Sequence, residues 1–508
     1  MNIAERITQI LEKNSVRTIF GLPGEQIMPF YQALQKSNIK HILVHHEQAA
    51  AHACDGYYRS SGKFGVCLAT ASPGALNFVM AVATAFKDNI PMLVITGDNI
   101  VENKYNDHFQ SFPLSDVFRP ITFKSYDPLT GTEAISNLKE ALFLLENNPQ
   151  GPIHINLSKD ILLEENFSEE DSEFKTDFDC KNYLIDSERL FLILGAGAIS
   201  EAELVNRIAI ENNIPIATTF SAKGIVDENN KVNLGLIGNR GSEKSRYAFE
   251  NADCIIALGT RLCERTVKEI DDRIVQVNIN PDHLISQNNI NCSVGDFLNN
   301  VEFGNYESWL NDVLNVEDDF MVEGIHDESL PLRPPSAIST ILSNFENNVV
   351  VSDAGSHTTW TTLLKKSHSF GKLLFSGGLA PMGYGLPAAI GASIANENEK
   401  TIVINGDGDF QMNLQELATI RQYDLNIIIF ILNNSQYGII RQTQKNVYGM
   451  DPYEVYLENP DFIKLANSYG IDAVRLNSKK DLDDFCRKSI DGPYVVEIPV
   501  AYEDIPMP

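Results

Sequence analysis

One stretch near the carboxyl end constrains this chain more than any other. Thr401-Ile402-Val403-Ile404-Asn405 is a short apolar run of the kind that forms a buried strand. Gly406-Asp407-Gly408-Asp409-Phe410 follows at once. Then come Asn413 to Ile420, with helical periodicity, and the apolar run Ile427 to Leu432, closed by Asn433-Asn434. Strand, helix and strand in this order form a parallel β-α-β unit, and ligands of parallel sheets bind at the carboxyl ends of the strands. Both of those ends are polar here. Asp407 supplies charge, an Asn amide supplies a neutral oxygen, and the glycines let backbone N–H groups approach a phosphate. Mg2+ takes oxygen ligands octahedrally and shares them with phosphates. The segment therefore reads as a socket for a metal-bound diphosphate.

The remainder of the 508 residues alternates strand-like and helical stretches, which predicts an α/β fold of three doubly wound parallel-sheet domains. The first block, 1–163, has strand-like runs at Arg17–Phe20, Ile42–Val44, Phe64–Ala69, Met92–Thr96 and Ile153–Asn156. The second, 187–300, opens with Leu190–Leu194 before the turn Gly195-Ala196-Gly197, and continues with Cys254–Leu258 and Ile274–Asn278. The third, 336–508, holds the socket. An acidic segment, Glu164 to Asp179, and a second acidic stretch at 301–335 separate the blocks. The first and third blocks could be divergent copies, but their sequences do not show it.

A net charge of −28 opposes nucleic acid or an anionic membrane as partner. The most apolar candidate for a membrane span, 377–395, is interrupted by Gly and Pro. The first residues begin an amphipathic helix rather than a secretory signal core. Seven scattered cysteines with no CxxC pair read as small core residues in a reducing compartment, so a cytoplasmic protein is expected.

Further motifs add to the socket. His45-His46-Glu47-Gln48-Ala49-Ala50-Ala51 places Glu47 at the start of an Ala-rich helix, where an acid suits the helix dipole. Ala71-Ser72-Pro73-Gly74-Ala75-Leu76-Asn77 lies in the same block, and Gly378-Leu379-Ala380-Pro381-Met382-Gly383-Tyr384-Gly385-Leu386-Pro387 precedes the socket. Together these resemble the thiamine diphosphate (ThDP) enzymes, in the branch of the acetolactate synthase large subunits. The resemblance covers most of the chain and implies a pyrimidine-binding first domain, a central domain and a pyrophosphate-binding third domain. It implies ThDP and Mg2+ as cofactors, the metal being held by Asp407, Asn434 and the backbone carbonyl of Gln436. Glu47 would bond the pyrimidine ring, flanked by Pro73 and Asn77, and pass a proton that lets the neighbouring imine act as a base. Gly355-Ser356-His357 matches a G-Q-H stretch that meets the diphosphate, with Ser for Gln; Gly406, Gly408 and Asp409 adjoin it. Met382 would be the wedge that bends the cofactor, and the Ala380 carbonyl would receive its 4′-amino group. Asp107-His108-Phe109-Gln110 is similar to a D-x-F-Q segment near the substrate, which implies catalytic roles for Phe109 and Gln110. Lys159 matches a lysine of the same family in a comparable segment.

The central block resembles that of synthases carrying a non-redox FAD, in Gly235 to Gly241 and Gly259 to Arg265. Arg265 matches an arginine that contacts the second keto acid and the flavin. Asn239 and Arg240 stand where that motif has Met and His, so FAD stays an open alternative. Thr443 occupies the place of a Trp that lines the acceptor pocket. The activity implied is decarboxylation of a 2-keto acid, pyruvate first, with carboligation to a second keto acid to give 2-acetolactate. The alternative is a simple 2-keto acid decarboxylase, or a carboligase with a different carbonyl acceptor, toward which Thr443 points. A homodimer or homotetramer, with a regulatory small subunit as a further partner, completes the expectation.

Overall fold

A computed structural model describes all residues except Tyr105, 148–150, 169–173, 175–179, 181–182, 318–321 and 507–508. The acidic segment Glu164 to Asp179 falls largely outside the described residues. Three six-stranded sheets, parallel throughout, carry the chain. The first contains β1 (Thr18–Gly21), β2 (Lys40–Leu43), β3 (Gly65–Ala69), β4 (Met92–Asp98), β5 (Lys124–Tyr126) and β6 (Ile153–Ser158), in the order β2-β1-β3-β4-β6-β5. A short strand, β7 (Tyr183–Leu184), leads into the second sheet. That sheet has β8 (Leu190–Leu194), β9 (Ile216–Thr218), β10 (Asn233–Leu236), β11 (Cys254–Leu258), β12 (Ile274–Val277) and β13 (Asn288–Ile290), ordered β10-β9-β8-β11-β12-β13. After β14 (Val301–Glu302), which pairs with β7, the third sheet takes β15 (Val349–Ser352), β16 (Leu373–Leu374), β17 (Thr401–Gly406), β18 (Ile427–Asn433), β19 (Asp472–Arg475) and β20 (Tyr494–Pro499).

The order of the third sheet, β16-β15-β17-β18-β20-β19, repeats that of the first, strand for strand. The kinship of the two blocks is a matter of topology, invisible in their residues. The central order is that of a dinucleotide-type sheet, with its switch point between β8 and β11. Most of the apolar runs read from the sequence are inner strands, but Ile42–Val44 falls on the edge strand β2, and the inner strands β9 and β15 lie outside those runs. Among the strands the composition did not flag, β5 (Lys-Ser-Tyr), β13 (Asn-Asn-Ile) and β19 (Asp-Ala-Val-Arg) each close one edge of a sheet, and β10 and β16 close others. An edge strand is half solvated, so it needs no apolar run.

One apolar core joins the first and third sheets through Phe20, Val94, Val351 and Ile429, and the central sheet has a core of its own. The helices Glu47–Ser61 and Gly385–Ala395 cross within the shared core. A Cβ on Gly391 would lie 1.8 Å from the Ala53 carbonyl oxygen, and one on Gly56 would lie 2.0 Å from that of Ala388. Glycine lets these two backbones touch.

The cysteine reading needs one correction. Cys54, Cys67 and Cys486 are buried free thiols, but Cys180 and Cys292 form a disulfide, 112 residues apart in sequence with Cα atoms 6.2 Å apart. The fold carries Cys180, ahead of β7, to the end of β13, a meeting that no local spacing announces. Disulfides belong to oxidising surroundings, so the cysteines no longer argue for a reducing compartment.

Candidate cofactor and metal site

The candidate metal corner forms where β17 and β18 end side by side. β17 runs into a single helical turn, Asp407–Phe410, and β18 ends at Asn433. Asp407 is only 2% exposed, and burial pushes its carboxyl above the ordinary range. The amide of Asn459 donates to Asp407 Oδ2 at 2.6 Å and to Asn433 Oδ1 at 3.0 Å, which ties the two strand ends together. Nothing in the sequence singled out Asn459; its role depends on a loop folding back from beyond the helix Gly438–Asn446. Among the described residues no three His, Cys, Asp or Glu side chains cluster as metal ligands. A cation at this corner would combine one carboxylate with amide and carbonyl oxygens, which fits a hard divalent ion such as Mg2+. The buried charge of Asp407 is the feature such an ion would neutralise.

The corner opens into a cavity of about 730 Å3. Its walls include Asp407, Asn434 and Gln436, the cradle residues Gly355, Ser356, His357, Gly406, Gly408 and Asp409, and Ala380, Met382 and Arg265. Burial pushes His357 down to about 4, so its ring is neutral, and its Nε2 is buried without a hydrogen-bond partner. An unspent ring nitrogen beside the Gly355 turn fits the oxygen of a diphosphate. Asp409 behaves differently from a cradle residue. Its carboxylate accepts from Asn405 Nδ2 at 2.6 Å and from the Gly406 N–H at 2.8 Å, so that N–H is not free for a phosphate. Burial and the neighbouring Asp353 hold the Asp409 carboxyl well above its usual range.

Asp353 itself escaped the sequence reading. It sits just beyond β15, 1% exposed, and its carboxylate accepts the N–H groups of Ala354, Gly383, Tyr384 and Gly385 as well as Asn405 Nδ2. Burial pushes it up to about 6. These bonds pin the segment that carries Ala380 and Met382. Ala380 has φ 51°, a left-handed conformation that a side chain resists. It persists because the segment is fastened at Asp353 and by the Ala380 N–H bond to Ser376 Oγ.

The remaining candidates lie elsewhere. Glu47, 6% exposed, starts its helix and accepts from Asn77 Nδ2 at 2.8 Å on Oε2. Gly74 lies against its other oxygen, where a Cβ would be 2.7 Å away, and Pro73 precedes it in a cis peptide. None of Glu47, Pro73 and Asn77 is among the described residues lining the cavity of Asp407. Phe109 is 82% exposed, with its carbonyl held by Asn99 Nδ2 at 3.0 Å, and Gln110 has φ 62°. Lys159, at the end of β6, faces Glu25 at 3.3 Å. Phe109, Gln110 and Lys159 also stand outside the cavity lining.

Comparison with known proteins identifies the family. Residues 1–117 match the thiamine pyrophosphate enzyme N-terminal TPP binding domain, 179–301 the central domain, and 353–498 the C-terminal TPP binding domain. The chain is 33% identical to a probable acetolactate synthase large subunit of Methanocaldococcus jannaschii, covering 100% of this chain and 93% of that one. It is 34% identical to the acetolactate synthase large subunit of Cyanidium caldarium, over 97% and 92% of the two chains. With acetolactate synthase 1, chloroplastic, of Zea mays the identity is 30%, over 99% and 86%. With three matching domain models and similarity over its full length, the chain belongs to the thiamine pyrophosphate enzyme family, in the branch of the acetolactate synthase large subunits.

Proposed function

We propose that this chain condenses two molecules of pyruvate, with loss of CO2, into 2-acetolactate. The observation that supports it is the cavity in which Asp407, Asn434, Met382 and Arg265 meet, in a chain similar over its full length to acetolactate synthase large subunits. Thiamine diphosphate, when bound, supplies the electron sink for decarboxylation. The protein supplies position and proton transfer. Asp407, the Asn434 amide and the Gln436 carbonyl hold Mg2+; the Gly355–His357 turn and Gly408 take the diphosphate. Met382 and Ala380, fastened through Asp353, set the cofactor's conformation. Glu47 holds a proton at the pyrimidine ring, with Asn77 fixing one carboxylate oxygen so that the other faces the ring. Phe109, Gln110 and Lys159 are substrate-side residues in this reading.

Because Glu47 stands outside the cavity of Asp407, one chain does not close the site. A second copy brings its own Glu47 to it, which makes the working form a homodimer or a homotetramer. We assign residues 1–163, 187–300 and 336–508 as the pyrimidine-binding, central and pyrophosphate-binding domains. The relatives are named large subunits, so a regulatory small subunit is proposed as a partner. No helix among the described residues is long and apolar enough to cross a membrane, and a cytoplasmic location is proposed. Decarboxylation and carbon–carbon bond formation transfer no net electrons, so FAD is not required by the chemistry.

A second reading has one observation in its favour. Thr443 lines the cavity, where a small polar side chain leaves the acceptor side wider than an aromatic ring would. The alternative is a carboligase with another carbonyl acceptor, or a simple 2-keto acid decarboxylase. Incubation with pyruvate, ThDP and Mg2+ separates the two. The expected result is acetolactate with one CO2 released per two pyruvates; acetaldehyde in step with CO2 would replace this reading by the second.

A further inference from the structure

A polar cluster that the proposed reaction leaves unused lies largely buried in the first domain, at the carboxyl ends of three neighbouring strands. Asp98 ends β4, Asn156 lies on β6, and Asp127 follows β5. The Asn156 amide donates to Asp98 Oδ2 at 2.7 Å and to Asp127 Oδ1 at 3.0 Å, and its oxygen accepts from Thr96 Oγ1 at 2.9 Å. Lys104 enters from the loop that follows β4: its ammonium pairs with Asp127 and stands 3.9 Å from Asp98 Oδ2. Among the described residues of 99–113, Lys104 alone is buried. The tip of the loop is fastened to this anchor from two sides. Asn99, whose N–H donates to Asp98 Oδ1 at 2.8 Å, donates its amide to the Phe109 carbonyl at 3.0 Å. Ser111 Oγ donates to the Lys104 carbonyl at 2.8 Å. Gln110 lies between these two attachments, with φ 62°, a left-handed conformation that a side chain resists.

Taking a lysine and two carboxylates out of water is costly, and apolar side chains would anchor a loop at smaller cost. What the ion cluster provides is a single seat, since the ammonium is satisfied only where the ends of β4 and β5 meet it. The loop also leaves the same sheet edge as Glu47, which follows β2, and as Pro73 and Asn77, which follow β3. Ligands of a parallel sheet bind along that edge. Phe109 is exposed, so backbone attachments rather than core packing fix its place. We infer that Lys104 is a positioning residue of the reaction: seated at Asp98 and Asp127, it holds the loop that presents Phe109 and Gln110 to the substrate. This inference rests on the reading of Phe109 and Gln110 as substrate-side residues.

The test measures kcat/KM for pyruvate, ThDP affinity and amide hydrogen exchange in the wild type, Lys104→Met and Lys104→Arg, with thermal melting to check folding. Each substitution is also placed in a Phe109→Ala/Gln110→Ala background. Lys104→Met should lower kcat/KM about tenfold or more with ThDP affinity unchanged, as for a misplaced substrate-positioning group. In the cofactor-free protein it should speed exchange over 99–113 and leave the sheet protected. Lys104→Arg keeps the cation and should retain more of the turnover. In the background without the Phe109 and Gln110 side chains, Lys104→Met should cost about twofold at most, because a residue that acts through the loop has nothing left to position. If Lys104→Met does not fold, Lys104→Met/Asp127→Asn, which removes both charges of the pair, carries the test by the same measurements. An equal loss in both backgrounds, or unchanged exchange over 99–113, would leave Lys104 a part in stability alone and overturn the inference. If Phe109→Ala/Gln110→Ala turns over pyruvate like the wild type, the reading of that loop fails and takes the inference with it.

Discussion

Asp407 and Glu47 are both buried carboxylates, and their surroundings prepare them for different work. Asp407 has an amide from Asn459 against one oxygen, and burial raises its carboxyl above the ordinary range. As the proposed ligand it would favour a cation and, for the same reason, bind one less well as the pH falls. Asp407→Ala removes the only charged ligand proposed for the metal. Calorimetry with ThDP and Mg2+ should show Mg2+-dependent ThDP binding reduced by about 100-fold or more; unchanged affinity would place the metal elsewhere. Glu47 instead shares a hydrogen bond with Asn77 at the head of a helix. Glu47→Gln preserves an acceptor for the Asn77 amide but cannot pass a proton. The expected outcome is an unchanged melting temperature and a loss of activity on the order of 10²–10⁴-fold, the range for a positioned acid–base group. Wild-type turnover in this variant would remove Glu47 from the mechanism.

At the scale of elements, the cavity depends on two devices that join distant segments. One is the Asp353 carboxylate, which gathers three consecutive N–H groups, Gly383 to Gly385, at the start of the helix Gly385–Ala395. The other is the crossing of that helix with Glu47–Ser61, the helix that presents the proposed proton-transfer residue. Backbone meets backbone there, so no flexible side chain can move aside. Gly391→Ala would drive a methyl group toward the Ala53 carbonyl, 1.8 Å from the ideal Cβ position. Better helix propensity favours alanine by about 1 kcal/mol, yet overpacking against a fixed backbone costs about 1–3 kcal/mol or more. Net destabilisation in urea, with activity falling alongside, is the expected result. A variant as stable as the wild type would show that the crossing relaxes freely.

Over the whole molecule, the first and third domains are joined by a hydrogen bond to the buried Glu416 as well as by a core. Glu416, on the third domain, accepts the His45 N–H at 3.0 Å and Thr419 Oγ1 at 2.6 Å, and burial raises its carboxyl from 4.5 to about 7. The folded protein thus keeps a proton that the unfolded chain releases above about pH 4.5. This contribution is full at low pH and is lost as the pH rises toward 7. In Glu416→Gln the loss disappears. Between pH 5 and 8 the stability of the wild type relative to this variant should fall by up to about 3 kcal/mol, measured by urea unfolding at both pH values. Parallel pH profiles would contradict a protonated Glu416. The sequence by itself determined most of the inner strands, the turn Gly406–Phe410 and the helix beginning at Glu47, because apolar runs, glycine turns and capping positions are local signals. It left the edge strands β5, β13 and β19 unread, since half-solvated strands need no apolar pattern. Only the tertiary structure decided that Cys180 meets Cys292, that Asn459 returns to Asp407, that Asp353 fastens a segment 30 residues away, from Gly383 onward, and that Arg240 and Arg265 share a wall. It alone placed Glu47 apart from the cavity of Asp407 within one chain. Each of these depends on which strand ends become neighbours, and neighbours in a doubly wound sheet are set by crossovers that no short stretch of residues encodes.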